Sequence, residues 1–331
     1  MPSVRIGLVG AGEQGAGFLF PALMQVSGAT LVGIADSIPG RAEALASRTG
    51  APAFASAEAL IDACAPDALV IACAPQVQIQ LAHLAIARGI HVFVEKPPAL
   101  YLSELRLLAD MARRRGVVTG VGMNFRFSSA ALAIQQAIAS PDFGELVHLT
   151  LSYAANKPKA PMWDLDSSFR TFLLAQSIHA IDLALALGGP VTTSSTDVVM
   201  RDGAFAFARH SLKFASGGLG TILAGNVFPR FDFHVTAVGD ASQVVSSNSL
   251  WSVDVLAAGE PLGTIRKGEN QWRPSPLESG YGRTGYLQEL KTFVEAVTAG
   301  HLFSGGFESL IPVFEIIEAA LDSQELRRVS A

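Results

Sequence analysis

The chain has 331 residues and a formal net charge of −5, with 50% hydrophobic and 16% charged residues. This length allows two domains with ample cores. The high hydrophobic and low charged fractions exclude a disordered chain. No basic block stands out, which argues against binding to nucleic acid. No apolar run reaches the length of a membrane span without a charge or a proline.

The two cysteines, Cys64 and Cys73, are too few for a disulfide framework and lack the spacing of metal ligands. They predict reduced thiols in a cytoplasmic protein, and no metal site is expected. The apolar N-terminal stretch lacks the charged region and cleavage site of a signal peptide, and is predicted to be a strand of the domain.

The chain is organised around its first forty residues. The run Val4 to Val9 predicts a buried strand, and the sequence G-x-G-x-x-G follows at once at positions 10–15. Apolar residues spaced for one helical face predict a helix from Ala16 to Val26. A second strand, Thr30 to Ala35, ends at Asp36.

Each glycine of the motif has a physical role. Gly10 allows a tight turn, Gly12 lets a pyrophosphate approach the backbone, and Gly15 lets the helix pack on the strand. The free N–H groups and the dipole of the helix N-terminus then bind phosphates. Glu13 and Gln14 belong to this loop, and we expect them in the cofactor site. A plain glycine turn is the alternative for the motif alone.

The residue at the end of the second strand bears on which cofactor binds. The Asp36 carboxylate can accept hydrogen bonds from the ribose hydroxyls of NAD and would repel the 2′-phosphate of NADP. NAD is therefore the expected cofactor. NADP remains possible because Arg41 is close in sequence, although a solvated residue in the first turn of a helix is its simpler interpretation.

Strands and helices alternate up to Asn124, which predicts a doubly wound α/β domain over residues 1–124. Its continuous apolar strands indicate a parallel sheet covered on both faces. After the first two strands, the pattern predicts helices over Arg41–Arg48, Ala57–Ala63, Ile79–Arg88 and Ser103–Arg115, and strands over Ala68–Ala72, Ile90–Val94 and Val117–Met123.

The pattern changes in residues 125–331, which are assigned to a second α/β domain. Strand-like segments separated by turn residues from Val191 to about Ala258 predict hairpins and a mostly antiparallel sheet. The remaining segments are an irregular stretch from Gly259 to Gly282, one strand over Leu146–Tyr153, and helices over Ala130–Ala139, Ser168–Leu187, Gly285–Ala299 and Glu308–Glu325.

Two turns of the first domain carry candidate cofactor contacts. Ala72, Ala74 and Pro75 follow a strand, at the sheet edge where ligands bind, although the turn also suits a simple connection. Glu95 and Lys96 follow the next strand and precede two prolines. Lys96 can hold a substrate oxygen and stabilise charge on it. A surface Glu–Lys pair is the equal alternative.

The helix of the second domain carries a candidate acid–base group. His179 and Asp182 lie three residues apart and share one face. A histidine is suited to proton exchange near neutral pH, and Asp182 can orient its ring. A buried structural histidine is the alternative. Other residues that can line a polar substrate pocket are Tyr153, Trp163 and Arg170.

These motifs resemble the glucose–fructose oxidoreductase, inositol dehydrogenase and rhizopine-catabolism (Gfo/Idh/MocA) family. The resemblance rests on GLVGAGEQG, VGIAD, ACAP, GIHVFVEKPP and SIHAIDLALALGG, and it extends over nearly the whole chain. It implies an NAD(P)-binding Rossmann domain and a second domain that binds substrate and forms a homodimer or homotetramer through an open sheet.

The resemblance also implies hydride transfer between NAD(P) and a hydroxyl or keto carbon of a sugar, cyclitol or related polyol. Lys96 matches the lysine of the family's EKP motif and His179 its catalytic histidine, and the nicotinamide is expected beside them and Arg126. The carboxylate of the family's D-x-G-x-H pattern is replaced by Ala175. A histidine often present in the turn after ACAP is also missing from residues 76–79.

Two alternatives remain open on the sequence. The first is a biosynthetic ketosugar or imine reductase in which Lys96 or a tyrosine is the acid and His179 only binds. The second is a non-catalytic NAD-binding sensor or scaffold, a possibility that Ala175 keeps open.

Overall fold

A computed structural model describes residues 3–257, 271–275 and 280–329, with the backbone alone for residues 325–329. The chain forms two units. The first contains residues 1–124 and 285–311, and the second contains residues 125–284 and 312–331. Most of the stretch expected to be irregular, 259–282, lies outside the described residues.

The first unit is built on a six-stranded parallel sheet with the strand order β3-β2-β1-β4-β5-β6. This is the doubly wound order that the sequence predicts, so the predicted fold class is confirmed. Valine, isoleucine and leucine fill the central strands because both faces of the sheet are covered. The strands are β1 (Val4–Val9), β2 (Ala29–Ala35), β3 (Ala53–Phe54), β4 (Ala68–Ile71), β5 (His91–Val94) and β6 (Thr119–Val121).

The helix after the glycine motif departs from the prediction. It contains a π-helical turn, Gly15–Leu19, and ends with α1 (Phe20–Leu23), before the predicted end at Val26. Pro21 explains the wider turn because proline lacks the N–H that an α-helix would pair with the carbonyl four residues earlier. The other helices of this stretch are α2 (Arg41–Ala46), α3 (Ala57–Cys64), α4 (Pro75–Ala87) and α5 (Leu102–Arg115).

The second unit has an eight-stranded sheet with the order β14-β13-β12-β11-β7-β10-β9-β8. It is antiparallel except where β7 and β10 pair in parallel. The predicted hairpins are therefore confirmed. The strands are β7 (Leu146–Ala154), β8 (Val191–Arg201), β9 (Phe205–Phe214), β10 (Leu219–Gly225), β11 (Asp232–Gly239), β12 (Val244–Asn248), β13 (Ser252–Leu256) and β14 (Gln271–Trp272).

Helices cover one face of this sheet. The central helix of this layer packs against strands β7 and β10. That helix is continuous over Ser168–Gly188 but contains a π-helical turn, Leu173–Ser177. It is long and apolar enough to cross a membrane by composition, yet 78% of its apolar window is buried, as in the core of a folded domain. The helices are α6 (Ser129–Ile138), α7 (Ser168–Phe172), α8 (Ile178–Gly188) and α9 (Gly280–Arg283).

The end of the chain contributes to both units. Helix α10 (Tyr286–Ala299) packs on the first unit, where Phe293 meets Phe93 with ring centroids 5.5 Å apart. The sequence pattern places this segment in the domain 125–331, whereas the structure places residues 285–311 in the first unit. The difference arises because a helix that returns to an earlier sheet carries no local sequence signal. Helix α11 (Phe307–Val329) completes the chain.

Candidate active site

The three glycines of the first motif differ in the space around them. Gly10 has a φ of +94°, and a Cβ on it would lie 2.3 Å from the Ala72 carbonyl oxygen. A Cβ on Gly15 would lie 1.9 Å from the Gly10 carbonyl oxygen. A Cβ on Gly12 would meet nothing nearer than the Arg41 Nη1 atom at 3.6 Å. Gly10 and Gly15 therefore serve close packing, and Gly12 leaves room for a ligand.

Asp36 lies at the carboxyl end of β2 and is held against the glycine loop. Its carboxylate accepts the Ala11 N–H at 2.7 Å and the Ile38 N–H at 2.8 Å. Each oxygen has a second lone pair, so the carboxylate can still accept hydrogen bonds from ribose hydroxyls. The geometry fits the role that the sequence predicts for Asp36.

A cavity of about 350 Å³ opens at the carboxyl ends of β1, β2 and β4. Burial, together with the Asp36 charge, raises the pKa of the Cys73 thiol in its wall to about 11, so this cysteine stays protonated. The cavity suits the adenosine half of a dinucleotide because it joins the glycine loop to Asp36. The lining residues include Gly10, Asp36, Ser37, Ser56, Cys73 and Gln80.

The predicted turn residues lie beside this cavity. The Ala72 carbonyl oxygen packs against Gly10, while Ala74 precedes and Pro75 begins helix α4. Glu13 lies within the glycine motif, where the helix starts. The sequence predicts cofactor contact for the turn that contains Cys73, whereas Ser56 was missed because a lone serine gives no cofactor signal.

Glu95 is fully buried behind the glycine loop. Its carboxylate accepts a hydrogen bond from Gln14 Nε2 at 2.8 Å and from the Lys96 N–H at 3.2 Å. Gln14 Nε2 also lies 3.2 Å from the Tyr286 hydroxyl, which places α10 in the same network. Burial raises the pKa of the Glu95 carboxyl, and these hydrogen bonds act in the opposite direction. The network fixes the backbone from which half-buried Lys96 projects.

The second unit holds the candidate acid–base residue. His179 is buried in the first turn of α8, and its ring stacks on Phe125 with centroids 4.6 Å apart and planes 24° apart. The Tyr153 ring on β7 is nearly parallel to the imidazole, at 6.5 Å and 8°. The structure thus brings two predicted residues, Tyr153 and His179, together. The partner Phe125 was missed because an aromatic residue in a turn has no distinguishing pattern.

Tyr153 also makes a polar contact in this group. Its hydroxyl donates to Gln176 Oε1 at 2.7 Å, and burial raises the pKa of the phenol above its ordinary value. Gln176 lies in the π-helical turn, three residues before His179. This spacing is the signal that could have identified it, since residues three apart share a helix face.

Asp182 forms an ion pair with Arg126. Its two oxygens accept hydrogen bonds from Arg126 Nε, at 2.8 Å, and from Arg126 Nη2. Both residues are buried, and burial raises the pKa of Asp182 while the Arg126 guanidinium opposes that change. Arg126, expected at the cofactor, is thus joined to α8 by a two-point ion pair.

The other predicted pocket residues have structural contacts. Arg170 donates from Nη1 and Nη2 to the two oxygens of Glu318 on α11, at 2.9 and 2.8 Å. Trp163 is half-buried and has a φ of +60°. In the part of the chain that the structure describes, no cluster of three or more His, Cys, Asp or Glu side chains suits a metal ion.

Comparison with known proteins decides the family. A model described as the oxidoreductase family with an NAD-binding Rossmann fold matches residues 4–123, and a model of the GFO/IDH/MocA C-terminal domain matches residues 131–245. The chain belongs to the Gfo/Idh/MocA oxidoreductase family. The resemblance drawn from its motifs is therefore confirmed, and the first unit is its NAD-binding Rossmann unit.

Several known dehydrogenases resemble the chain over most of its length. A solved dehydrogenase from Chromobacterium violaceum is 36% identical, with a TM-score of 0.93 over 100% of this chain and 99% of that one. The inositol 2-dehydrogenase of Leifsonia xyli subsp. xyli is 28% identical over 92% of this chain and 88% of its own length. The scyllo-inositol 2-dehydrogenase (NADP(+)) of Bacillus subtilis is 25% identical over 73% of this chain and 72% of its own length.

Proposed function

We propose that this oxidoreductase transfers a hydride between NAD(P) and a hydroxyl or keto carbon of a sugar, cyclitol or related polyol. The observation that carries the proposal is the pairing, in one chain, of a dinucleotide loop with a buried imidazole held in a fixed plane. The names of the inositol dehydrogenases that resemble the chain support the substrate class.

The residues of the first unit fit the cofactor. The backbone at Gly10, Gly12 and Gly15 would bind the diphosphate, and Asp36 would accept the ribose hydroxyls. When bound, the nicotinamide supplies the acceptor or donor of a hydride. NAD is favoured because the Asp36 charge opposes a 2′-phosphate. The NADP-named relative from Bacillus subtilis supports testing both cofactors.

Two side chains would handle the substrate. Lys96 binds the reacting oxygen and stabilises the negative charge that develops on it. His179 exchanges the hydroxyl proton at an imidazole nitrogen, as base in oxidation and as acid in reduction. Its stacking on Phe125 holds the ring plane, so both nitrogens stay in that plane. Tyr153, whose ring faces His179, is a further candidate for a substrate contact. Trp163 and Arg170 are weaker candidates.

We also propose a cytoplasmic homo-oligomer that uses the open face of the eight-stranded sheet. The register aligns Thr221, Thr150 and Thr236 across β10, β7 and β11 on that face. Small hydroxyl side chains allow two flat sheets to approach closely, which supports a homodimer or homotetramer.

The test is calorimetric binding of NADH and NADPH, followed by turnover of sugars, inositols and ketosugars at the nicotinamide absorbance band. We expect one cofactor to bind and at least one substrate to react. Changing His179→Ala should lower kcat by about 10²–10⁴, with cofactor affinity kept.

Each other outcome contradicts part of the proposal. Binding without turnover over the whole panel would favour a non-catalytic NAD-binding protein, and failure of both cofactors to bind would overturn the proposal at the glycine loop. Unchanged turnover in Lys96→Ala would remove Lys96 from its assigned role. A larger loss in Lys96→Ala than in His179→Ala during reduction would favour the reductase alternative.

A further inference from the structure

The candidate acid–base residue has a polar pair beside it that no comparison assigns. Tyr153 on β7 donates its hydroxyl proton to Gln176 Oε1 at 2.7 Å. The Tyr153 ring stands nearly parallel to the His179 ring, and Gln176 lies one helical turn before His179. Tyr153 therefore faces the imidazole from the sheet, and its hydrogen-bond partner Gln176 precedes His179 on the same helix.

We propose that Tyr153 and Gln176 form a neutral pair that positions His179 and takes the place of an orienting carboxylate. This inference rests on the proposed function of His179. An imidazole used for proton exchange needs a neighbour that fixes its orientation. The nearest carboxylate on the same helix, Asp182, is held by Arg126 through two hydrogen bonds.

The pair has hydrogen-bonding capacity left after its internal bond. The Tyr153 proton is directed at Gln176, so the phenol oxygen keeps lone pairs that can accept a hydrogen bond. The Gln176 amide keeps two N–H donors. The pair whose tyrosine ring faces the imidazole thus offers both an acceptor and a donor. Since both groups are uncharged, they orient neighbours without adding a negative charge to the site.

The π-helical turn explains why Gln176 can fill this place. Such a turn contains one more residue than an α-helical turn and so rotates the preceding residues around the helix axis. The turn spans Leu173–Ser177 and ends just before His179. Ala175 is 6% exposed, whereas Gln176 is half-buried and reaches Tyr153.

The first measurement is the pKa of His179 by NMR, with the resonance assigned from His179→Gln. Gln176→Glu places a carboxylate where the amide stands, and we expect the His179 pKa to rise by at least about one unit. Gln136→Glu adds the same charge on the exposed face of α6 and should leave the His179 pKa unchanged. The titratable groups near the ring are Tyr153 on β7 and the Arg126–Asp182 pair, and β10 contributes none.

The second measurement is turnover, with the substrate identified in the panel. Tyr153→Phe and Gln176→Met each remove the hydrogen bond and keep the side-chain size. We expect kcat to fall about tenfold or more with KM changed less than threefold, and Gln176→Glu to shift the pH profile of kcat with the His179 pKa. Thermal melting should show that all variants are folded.

The pKa measurement and the turnover measurement together distinguish failure of this inference from failure of the proposed function. If Gln176→Glu moves the His179 pKa no more than Gln136→Glu does, the pair does not border the imidazole and the inference is wrong. A raised pKa in a protein that turns over no substrate would support the pair and overturn the proposed function. Unchanged kcat in both Tyr153→Phe and Gln176→Met would overturn the positioning role.

Discussion

At the scale of single residues, the glycines of the first motif are distinguished by the space around them. We expect Gly15→Ala to destabilise the protein by about 3 kcal/mol or more, near the upper end for overpacking, because its Cβ would overlap the Gly10 carbonyl oxygen. Affinity for NADH should fall at least tenfold. The control is Gly17→Ala in the same turn, where a Cβ meets nothing within 4 Å. Urea unfolding of both variants measures the difference, and equal effects would show that the close approach is not real.

Glu95 offers a second residue-scale prediction, in which stability depends on pH. Burial raises its pKa from the ordinary 4.5, so the folded state binds this proton more tightly than the unfolded state. That contribution to stability is complete below the unfolded pKa and is lost as pH rises through the folded pKa. We therefore expect Glu95→Gln to gain stability relative to the parent as pH rises from about 4.5 to neutral. Urea unfolding across this range is the measurement.

The control for Glu95 is an exposed carboxyl in the same unit. Glu43→Gln, in the first turn of α2, removes one carboxyl without emptying a buried site. A stability difference that stays constant with pH for Glu95→Gln, or that matches Glu43→Gln, would contradict the prediction.

At the scale of elements, the sequence predicted what is periodic and missed what depends on geometry. β1 was predicted to the residue because a buried parallel strand is a continuous apolar run. The two-residue β3 was missed because two residues carry no period. The π-helical turns at Gly15–Leu19 and Leu173–Ser177 were also missed, since apolar spacing does not separate them from an α-helix.

The same division holds for the site. The close packing at Gly10 and Gly15 and the open space at Gly12 agree with the geometry that the motif predicts, because each meets a local requirement of the backbone. The Tyr153–Gln176 contact joins positions 23 apart in sequence, and only the pairing of a strand with a helix reveals it.

Helix α10 gives the element-scale prediction. Phe293 is fully buried and contacts Phe93 and Phe303 at centroid distances of 5.5 and 5.9 Å. We expect Phe293→Ala to cost about 3–5 kcal/mol and to weaken NADH binding, because α10 also carries Tyr286 of the Glu95 network. Lys291→Ala, at an exposed position of the same helix, is the matched control. Urea unfolding and calorimetry measure both effects, and similar values for the two variants would exclude a structural role for this face.

At the scale of the whole molecule, each unit is assembled from two separate stretches of chain. Residues 285–311 belong with residues 1–124, and residues 312–331 belong with residues 125–284. Sequence patterns assign neighbours along the chain to one domain, so this exchange could not be predicted. As a result, the last helices contribute to both units: Phe293 packs in the core of the first, and Glu318 forms an ion pair with Arg170 in the second.

Truncation tests this interdependence. A chain that ends after Thr284 would expose the Phe93 surface of the first unit and leave the partly buried guanidinium of Arg170 without Glu318 in the second. Removing one partner of a partly buried ion pair destabilises the fold because the remaining charge is unpaired. Losing the aromatic side chain that packs on Phe93 is destabilising as well. We expect this chain to lose both cooperative unfolding and NADH binding. A chain that ends after Gln324 keeps Phe293 and Glu318 and should retain both properties. If the shorter chain bound NADH with unchanged affinity, residues 1–124 would form a complete binding unit on their own, and the assignment of residues 285–311 to its core would be wrong.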